Sequence, residues 1–190
     1  MTPDFETERL IARPFTPDDA EGAWALWGDP EVMHFLGGVI ETGVESTRAS
    51  IVRFAAKYAA YRERGLPHGA FALIEKASAG SGSAALIGCG LLKPLPDADK
   101  VDTDDIEIGW HLVRRVWGQG YATEAGRALM DRGFSALPID RLHVVIDPGN
   151  VRSQAVAERL GFQQHEDTHR YYGRHLHHYT RTRAAWESAR

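Results

Sequence analysis

The stretch Trp117-Gly118-Gln119-Gly120-Tyr121-Ala122-Thr123-Glu124 joins a strand-like segment directly to a helix-like one. Gly118 and Gly120 let the backbone turn tightly and approach a ligand closely. The helix that follows presents free amides and a partial positive charge at its start. Together these make an anion site suited to a diphosphate. Taken alone, the loop leaves three alternatives. A nucleoside-triphosphate loop requires Gly-Lys-Ser/Thr, which is absent. A dinucleotide fingerprint requires a third glycine where Thr123 stands, near the first strand of its fold. A glycine turn that serves only topology is the third.

Hydrophobic periodicity extends the reading outward. Residues 106–113 read as a strand. Residues 123–134 read as a helix with Ala125, Leu129, Met130 and Phe134 inward. Residues 142–146 are a buried strand, 151–160 a helix, and 162–165 and 176–182 closing strands linked through Tyr171-Tyr172-Gly173. Toward the N-terminus, residues 8–13 read as a strand. Thr16-Pro17-Asp18-Asp19 starts a helix whose apolar face is Ala20, Ala23, Trp24 and Trp27 and which ends at Gly28-Asp29-Pro30. A second helix over 44–64 carries the stripe Ile51, Phe54, Ala55 and Tyr58. Residues 71–75 and 85–92 form an antiparallel hairpin across the turn 77–83. Residues 93–105, rich in Pro and Asp, read as a solvated loop. This order predicts an α/β fold with one mixed sheet of about seven strands flanked by about four helices. A single domain is expected over residues 1–190. The strand–helix–strand step around Gly120 is expected to be parallel and right-handed.

The segment Glu107-Ile-Gly-Trp-His-Leu112, followed by Trp117 through Ala125, resembles the GNAT N-acetyltransferase superfamily. It is most similar to the branch of ribosomal-protein N-terminal acetyltransferases. That family carries Gln/Arg-x-x-Gly-x-Gly/Ala at this turn. Gly120 and Ala122 match, and Trp117 stands where Gln or Arg is usual, as is common in that branch. A second motif follows. Asp147-Pro-Gly-Asn-Val-Arg-Ser153 closes a strand and opens a helix that ends Arg159-Leu-Gly-Phe162. On physical grounds Asn150 and Ser153 are good capping residues. The resemblance implies more: Asn150 contacts the pantetheine arm of acetyl-CoA, and Ser153 lies near the sulfur. It implies a GNAT-type acyltransferase fold with acetyl-CoA as co-substrate, held by Trp110, Leu112, Trp117, Gly118, Gln119, Gly120, Tyr121, Ala122, Thr123, Asn150 and Ser153.

The reaction so implied moves acetyl from CoA to an amine. The amine must lose its proton before it attacks, so a general base helps. The tetrahedral intermediate needs hydrogen-bond donors, for which the resemblance points to the backbone amide of Trp110. Strand alternation puts Glu107, Gly109 and His111 on one face and Ile106, Ile108, Trp110 and Leu112 on the other. Glu107 is the expected base. A structural hydrogen-bonding role for Glu107 stays open, as does a share for His111. In many relatives a Tyr on the last helix protonates the sulfur. Ala157 occupies that position, which leaves Ser153, Tyr171 or Tyr172 as candidates. A non-catalytic acyl-CoA sensor and a transferase of longer acyl groups are the alternative functions.

Composition narrows the setting. The formal net charge of −4 argues against a large basic field for nucleic acid. Cys89 is the one cysteine, so a reducing, cytoplasmic setting is expected. No apolar run approaches the roughly 20 residues of a membrane span. His175 and His177 alternate on one strand face with His165, His169 and His178 nearby. No matching ligand pattern accompanies them, so a solvated hairpin rather than a metal site is expected. Trp24 and Trp27 read as core, or as lining the acceptor cleft. Arg114 and Arg115 read as an exposed pair, with the 3′-phosphate of CoA as an alternative partner. The acceptor, a small amine or a protein N-terminus, is expected to meet residues 35–44, the loop near Asp97 and residues 171–175. The resemblance also makes a homodimer a common assembly.

Overall fold

A computed structural model describes residues 3–37, 40–80 and 85–189. Among these residues eight strands form one sheet: β1 (Phe5–Glu6), β2 (Leu10–Pro14), β3 (Gly69–Glu75), β4 (Leu86–Pro96), β5 (Asp102–Leu112), β6 (Arg141–Ile146), β7 (Gln163–Gln164) and β8 (His177–Thr182). Their spatial order is β1-β2-β3-β4-β5-β6-β8-β7. Every neighbouring pair is antiparallel except β5 and β6, which run parallel across the step that contains Gly120. The helices are α1 (Ala20–Trp27), α2 (Pro30–Met33), α3 (Val44–Glu63), α4 (Tyr121–Ala136), α5 (Val151–Arg159) and α6 (Arg183–Glu187). This is the expected mixed sheet with one strand and two short helices more than the sequence pattern indicates.

The two faces of the sheet have different covers. On one face α4 lies close to the strands. A Cβ at Gly90 would meet Leu129, and one at Gly126 would come within 2.6 Å of Leu160 and 3.2 Å of the Trp110 ring. Ala125, Leu129, Met130 and Phe134 are buried there, as the helical period requires. The other face carries Cys89, Leu91 and Lys93 of β4 opposite His111, Gly109 and Glu107 of β5. Helices α1, α2 and α3 border this second face.

Several expectations change. Residues 93–105 are not a solvated loop: β4 continues to Pro96, and β5 begins at Asp102. Pro and Asp are disfavoured in strands, which masks the pattern. The structure accommodates them with a register shift between Pro94 and Pro96. Fully buried Leu95 packs with Tyr171 and Leu176 in a small second core. At the tip, Asp97 Oδ1 accepts the amides of Asp99 and Val101, both at 2.9 Å. The buried residues of α3 are Thr47, Ser50, Ile51 and Tyr58, whereas Ala55 is exposed and Phe54, part-exposed, lays its ring against Trp27. Trp24 is 42% exposed, so it is not core; Leu26 takes that place beside Ala23. Part of the turn expected at 77–83 lies outside the described residues.

Under the β6–β8 pair runs a chain of buried and half-buried polar side chains. Tyr171 donates to Asp105 at 2.7 Å, and His143 Nε2 stands 3.4 Å from the same carboxylate. His143 Nδ1 and His178 Nε2 share a hydrogen bond of 2.9 Å. Burial holds the His143 imidazole below its ordinary range, and Asp105 opposes this only in part. Burial and His165 lower His178 as well. In the unfolded chain each ring takes a proton near pH 6.5, while in the folded chain each stays neutral to lower pH. The unfolded state therefore binds more protons below pH 6.5. Stability is full above that pH and falls as the solution is acidified. Thermal melts at descending pH are expected to show this loss, with a slope of at most about 1.4 kcal/mol per pH unit for each ring. His143→Gln should flatten that limb.

Candidate active site

Strands β5 and β6 pair only at Glu107 and His143. Beyond that point they part, and two cavities open into the gap. The first, about 590 Å³, lies between the starts of α4 and α5. Trp110, Leu112, Trp117, Gly118, Gly120, Tyr121, Ala122, Thr123, Asn150 and Ser153 line it. Every residue expected at the cofactor is thus brought together except Gln119. The Gln119 side chain turns back to donate to the Arg115 carbonyl at 2.8 Å.

The loop owes its shape to backbone conformation. Gly118 and Gly120 have φ of 76° and 84°, a left-handed region that side chains disfavour. Tyr121, Ala122 and Thr123 line the cavity, and the first amides of α4 have no helical carbonyl to bond. Arg9 secures the outer side, a contact that no motif in the sequence signals. Its guanidinium donates to the Gln119 carbonyl at 2.9 Å and to Glu124 at 2.6 Å. Trp117 Nε1 donates to the Leu112 carbonyl at 2.7 Å, and the Arg152 guanidinium sits 4.8 Å over the indole. At the start of α5, Asn150 Oδ1 caps the Ser153 amide at 3.1 Å. Arg114 is not free for a phosphate. It pairs with Asp29 at 2.6 Å and Glu31 at 2.8 Å. Arg152 and Arg159 line the cavity instead, and sequence reasoning passed over both.

The second cavity, about 490 Å³, lies on the face of α1 and α3. It shares Phe35, Leu36, Trp110, His111, Asn150 and Ser153 with the first. Glu107 is buried on its floor. Lys93, its direct cross-strand neighbour, reaches Glu107 Oε1 at 2.5 Å, and the Tyr172 hydroxyl donates to the same oxygen. Lys93 also donates to Tyr172 at 2.8 Å. Burial and the Glu107 carboxylate push the Tyr172 phenol far above its ordinary range, so it remains a protonated donor. Tyr171 points elsewhere, into the small core. His111 Nδ1 has no hydrogen-bond partner. Burial, with help from Lys93, lowers that imidazole to about 4 and keeps it neutral. Ala157 is fully buried, so α5 brings no phenol to the gap. His175 and His177 turn to Asp167, at 2.8 and 3.6 Å. Among the described residues no group of three or more potential ligands is gathered for a metal. No described helix is long and apolar enough to cross a membrane.

The acetyltransferase (GNAT) domain family matches residues 9–163, and the chain belongs to that family of acetyl-transferring proteins. The N-acetyltransferase YoaA of Bacillus subtilis (strain 168), itself uncharacterized, is 30% identical over 164 residues, 86% of this chain and 85% of that protein. Among solved structures, an acetyltransferase from Agrobacterium tumefaciens str. C58 superposes with a TM-score of 0.69 at 27% identity, covering 94% of each chain. A candidate ribosomal-protein-serine acetyltransferase from Vibrio cholerae shares the fold with a TM-score of 0.72 at 24% identity, covering 96% of this chain and 99% of that one.

The glycine loop yields a direct test. Acetyl-CoA at about a hundred times its Kd should stabilise the chain by about 2.7 kcal/mol. Gly120→Glu places a side chain in a left-handed conformation and a negative charge beside the helix start. Its melting temperature should not respond to the same ligand. A normal response would remove the loop from the donor site.

Proposed function

We propose that this chain, acting as one domain over residues 1–190, is an acetyl-CoA-dependent N-acetyltransferase that moves acetyl to a primary amine by direct attack. The observation that carries this reading is the meeting of two cavities at Trp110, His111, Asn150 and Ser153. A donor in the first cavity and an acceptor in the second would meet there. The diphosphate rests on the Gly118–Gly120 turn and the amides of α4. Arg152 and Arg159 are the cations placed for its further phosphate. Asn150 and Ser153 border the pantetheine arm near the thioester. The Trp110 backbone amide supports the oxyanion as the tetrahedral intermediate forms.

Glu107 takes the proton from the amine. Lys93 and Tyr172 both engage Oε1, which leaves Oε2 to hold the water that relays it. His111, neutral and unpartnered, accepts a hydrogen bond from the amine beside it. Ser153 returns a proton to the CoA sulfur. Direct attack is favoured over an acetylated enzyme because Cys89, the one thiol in the acceptor cavity, is buried and pushed up to about 12. Buried Ala157 favours a second reading, a non-catalytic acyl-CoA-binding protein. Release of free thiol from acetyl-CoA on addition of an amine separates the two.

Glu107→Gln should slow turnover about a hundredfold or more while the acetyl-CoA-induced stabilisation persists. The same change strands the Lys93 charge in a buried position, at a cost of about 3–5 kcal/mol. Lys93→Met added to Glu107→Gln should recover most of the lost stability and none of the turnover. Full activity in the double variant would exclude Glu107 as the base.

A further inference from the structure

The charged side chains around the second cavity already have partners. Lys93 is paired with Glu107, and Asp147 with Arg174 at 2.8 Å. Glu41 accepts from the Ser50 hydroxyl, to which Arg53 donates at 2.8 Å. Nearby Ser46, Ser50 and Arg53 keep Glu41 a carboxylate despite its burial cost. Among the described residues, then, each charged side chain of this lining already has a partner: an opposite charge for Lys93, Glu107, Asp147 and Arg174, and the shared Ser50 hydroxyl for Glu41 and Arg53. Recruiting one for a second ammonium group or a substrate carboxylate would displace that partner. Among buried side chains of this lining, the polar atom without a partner is His111 Nδ1, where the two cavities meet. The rest of the wall is apolar or aromatic: Trp27, Phe54, Tyr58, Leu91, Tyr172 and Leu176 contribute. Trp27 and Phe54 meet edge to face with centroids 5.7 Å apart.

A peptide entering this space would bring an amide donor and acceptor with every residue. Each would lose water without a side chain to replace it, at a cost of one or more kcal/mol apiece. A polyamine would bring a second charge into an apolar wall. A single amine on an apolar ring system loses least, because its one polar group lies at the reacting end. The volume of about 490 Å³ falls in the range of small-molecule sites.

Resting on the N-acetyltransferase reading, we infer that the acceptor is a small primary monoamine with an apolar, aromatic-sized body, held between the α1–α3 aromatic wall and the Tyr172 segment. The bond formed is the amide between its nitrogen and the acetyl carbon. The bond broken is the thioester, and the nitrogen's proton leaves through Glu107 as the thiol departs.

The test measures thiol release by the full chain from acetyl-CoA with four acceptors: phenethylamine, cadaverine, L-phenylalanine and an unblocked tetrapeptide. Phenethylamine should exceed each of the others in kcat/KM by roughly tenfold or more. Preference for the diamine, the amino acid or the peptide would overturn the substrate class and leave the transferase reading standing. No thiol release with any amine, while acetyl-CoA still raises the melting temperature, would overturn both. Phe54 is 42% exposed, so Phe54→Glu should fold normally. It should raise KM for phenethylamine by about tenfold with kcat little changed, lower KM for cadaverine, and leave the acetyl-CoA response intact. An unchanged KM for both amines would remove the aromatic wall from recognition and overturn the inference.

Discussion

The parting of β5 from β6 is the constraint on which the rest of the molecule depends. Parallel neighbours in a sheet ordinarily bond along their length. Here they share one register pair, Glu107 with His143, and then separate. The glycine loop leaves from the end of β5 and the Asn150 turn from the end of β6. The starts of α4 and α5 therefore face each other across the gap. Closing the sheet would bring those two helices together and abolish both cavities.

Each side of the gap is held open by different forces. On the side of the first cavity the supports are polar. Arg9 bridges the loop carbonyl and Glu124, Trp117 bonds back to β5, and Arg152 stacks on Trp117. On the side of the second cavity the support is a buried ion pair with a phenol laid over it. Lys93, Glu107 and Tyr172 satisfy one another beneath the cavity, where leaving one unpaired would be costly. The adjacent Tyr171 is anchored to Asp105, two positions before Glu107 on the same face of β5. The consecutive tyrosines thus tie one segment to two carboxylates of a single strand.

How much of this was legible beforehand depended on the range of the interaction. The glycine turn was readable because its parts are contiguous: two glycines, a helix start and the strand before them. The Asn150–Ser153 cap was readable for the same reason. Alternation correctly put Glu107 and His111 on one face, since the side-chain period of a strand is independent of its surroundings. The pairing of Glu107 with Lys93 depends on the β4–β5 register. That register runs through a hairpin whose prolines and aspartates disguise it. Arg9 and Glu124 are far apart in the chain, and no local pattern links them.

The sequence by itself determined the order of the main elements, the mixed sheet, the glycine turn that opens α4 and the face on which the candidate base stands. These follow from periodicity, capping and backbone conformation, which act over a few residues. Only the tertiary structure decided that the two cavities join, that Glu107 is held by Lys93 and Tyr172, that Arg114 is occupied, and that Trp24 lies outside the core. Those outcomes depend on which distant segments share a volume, and packing of the whole chain sets that.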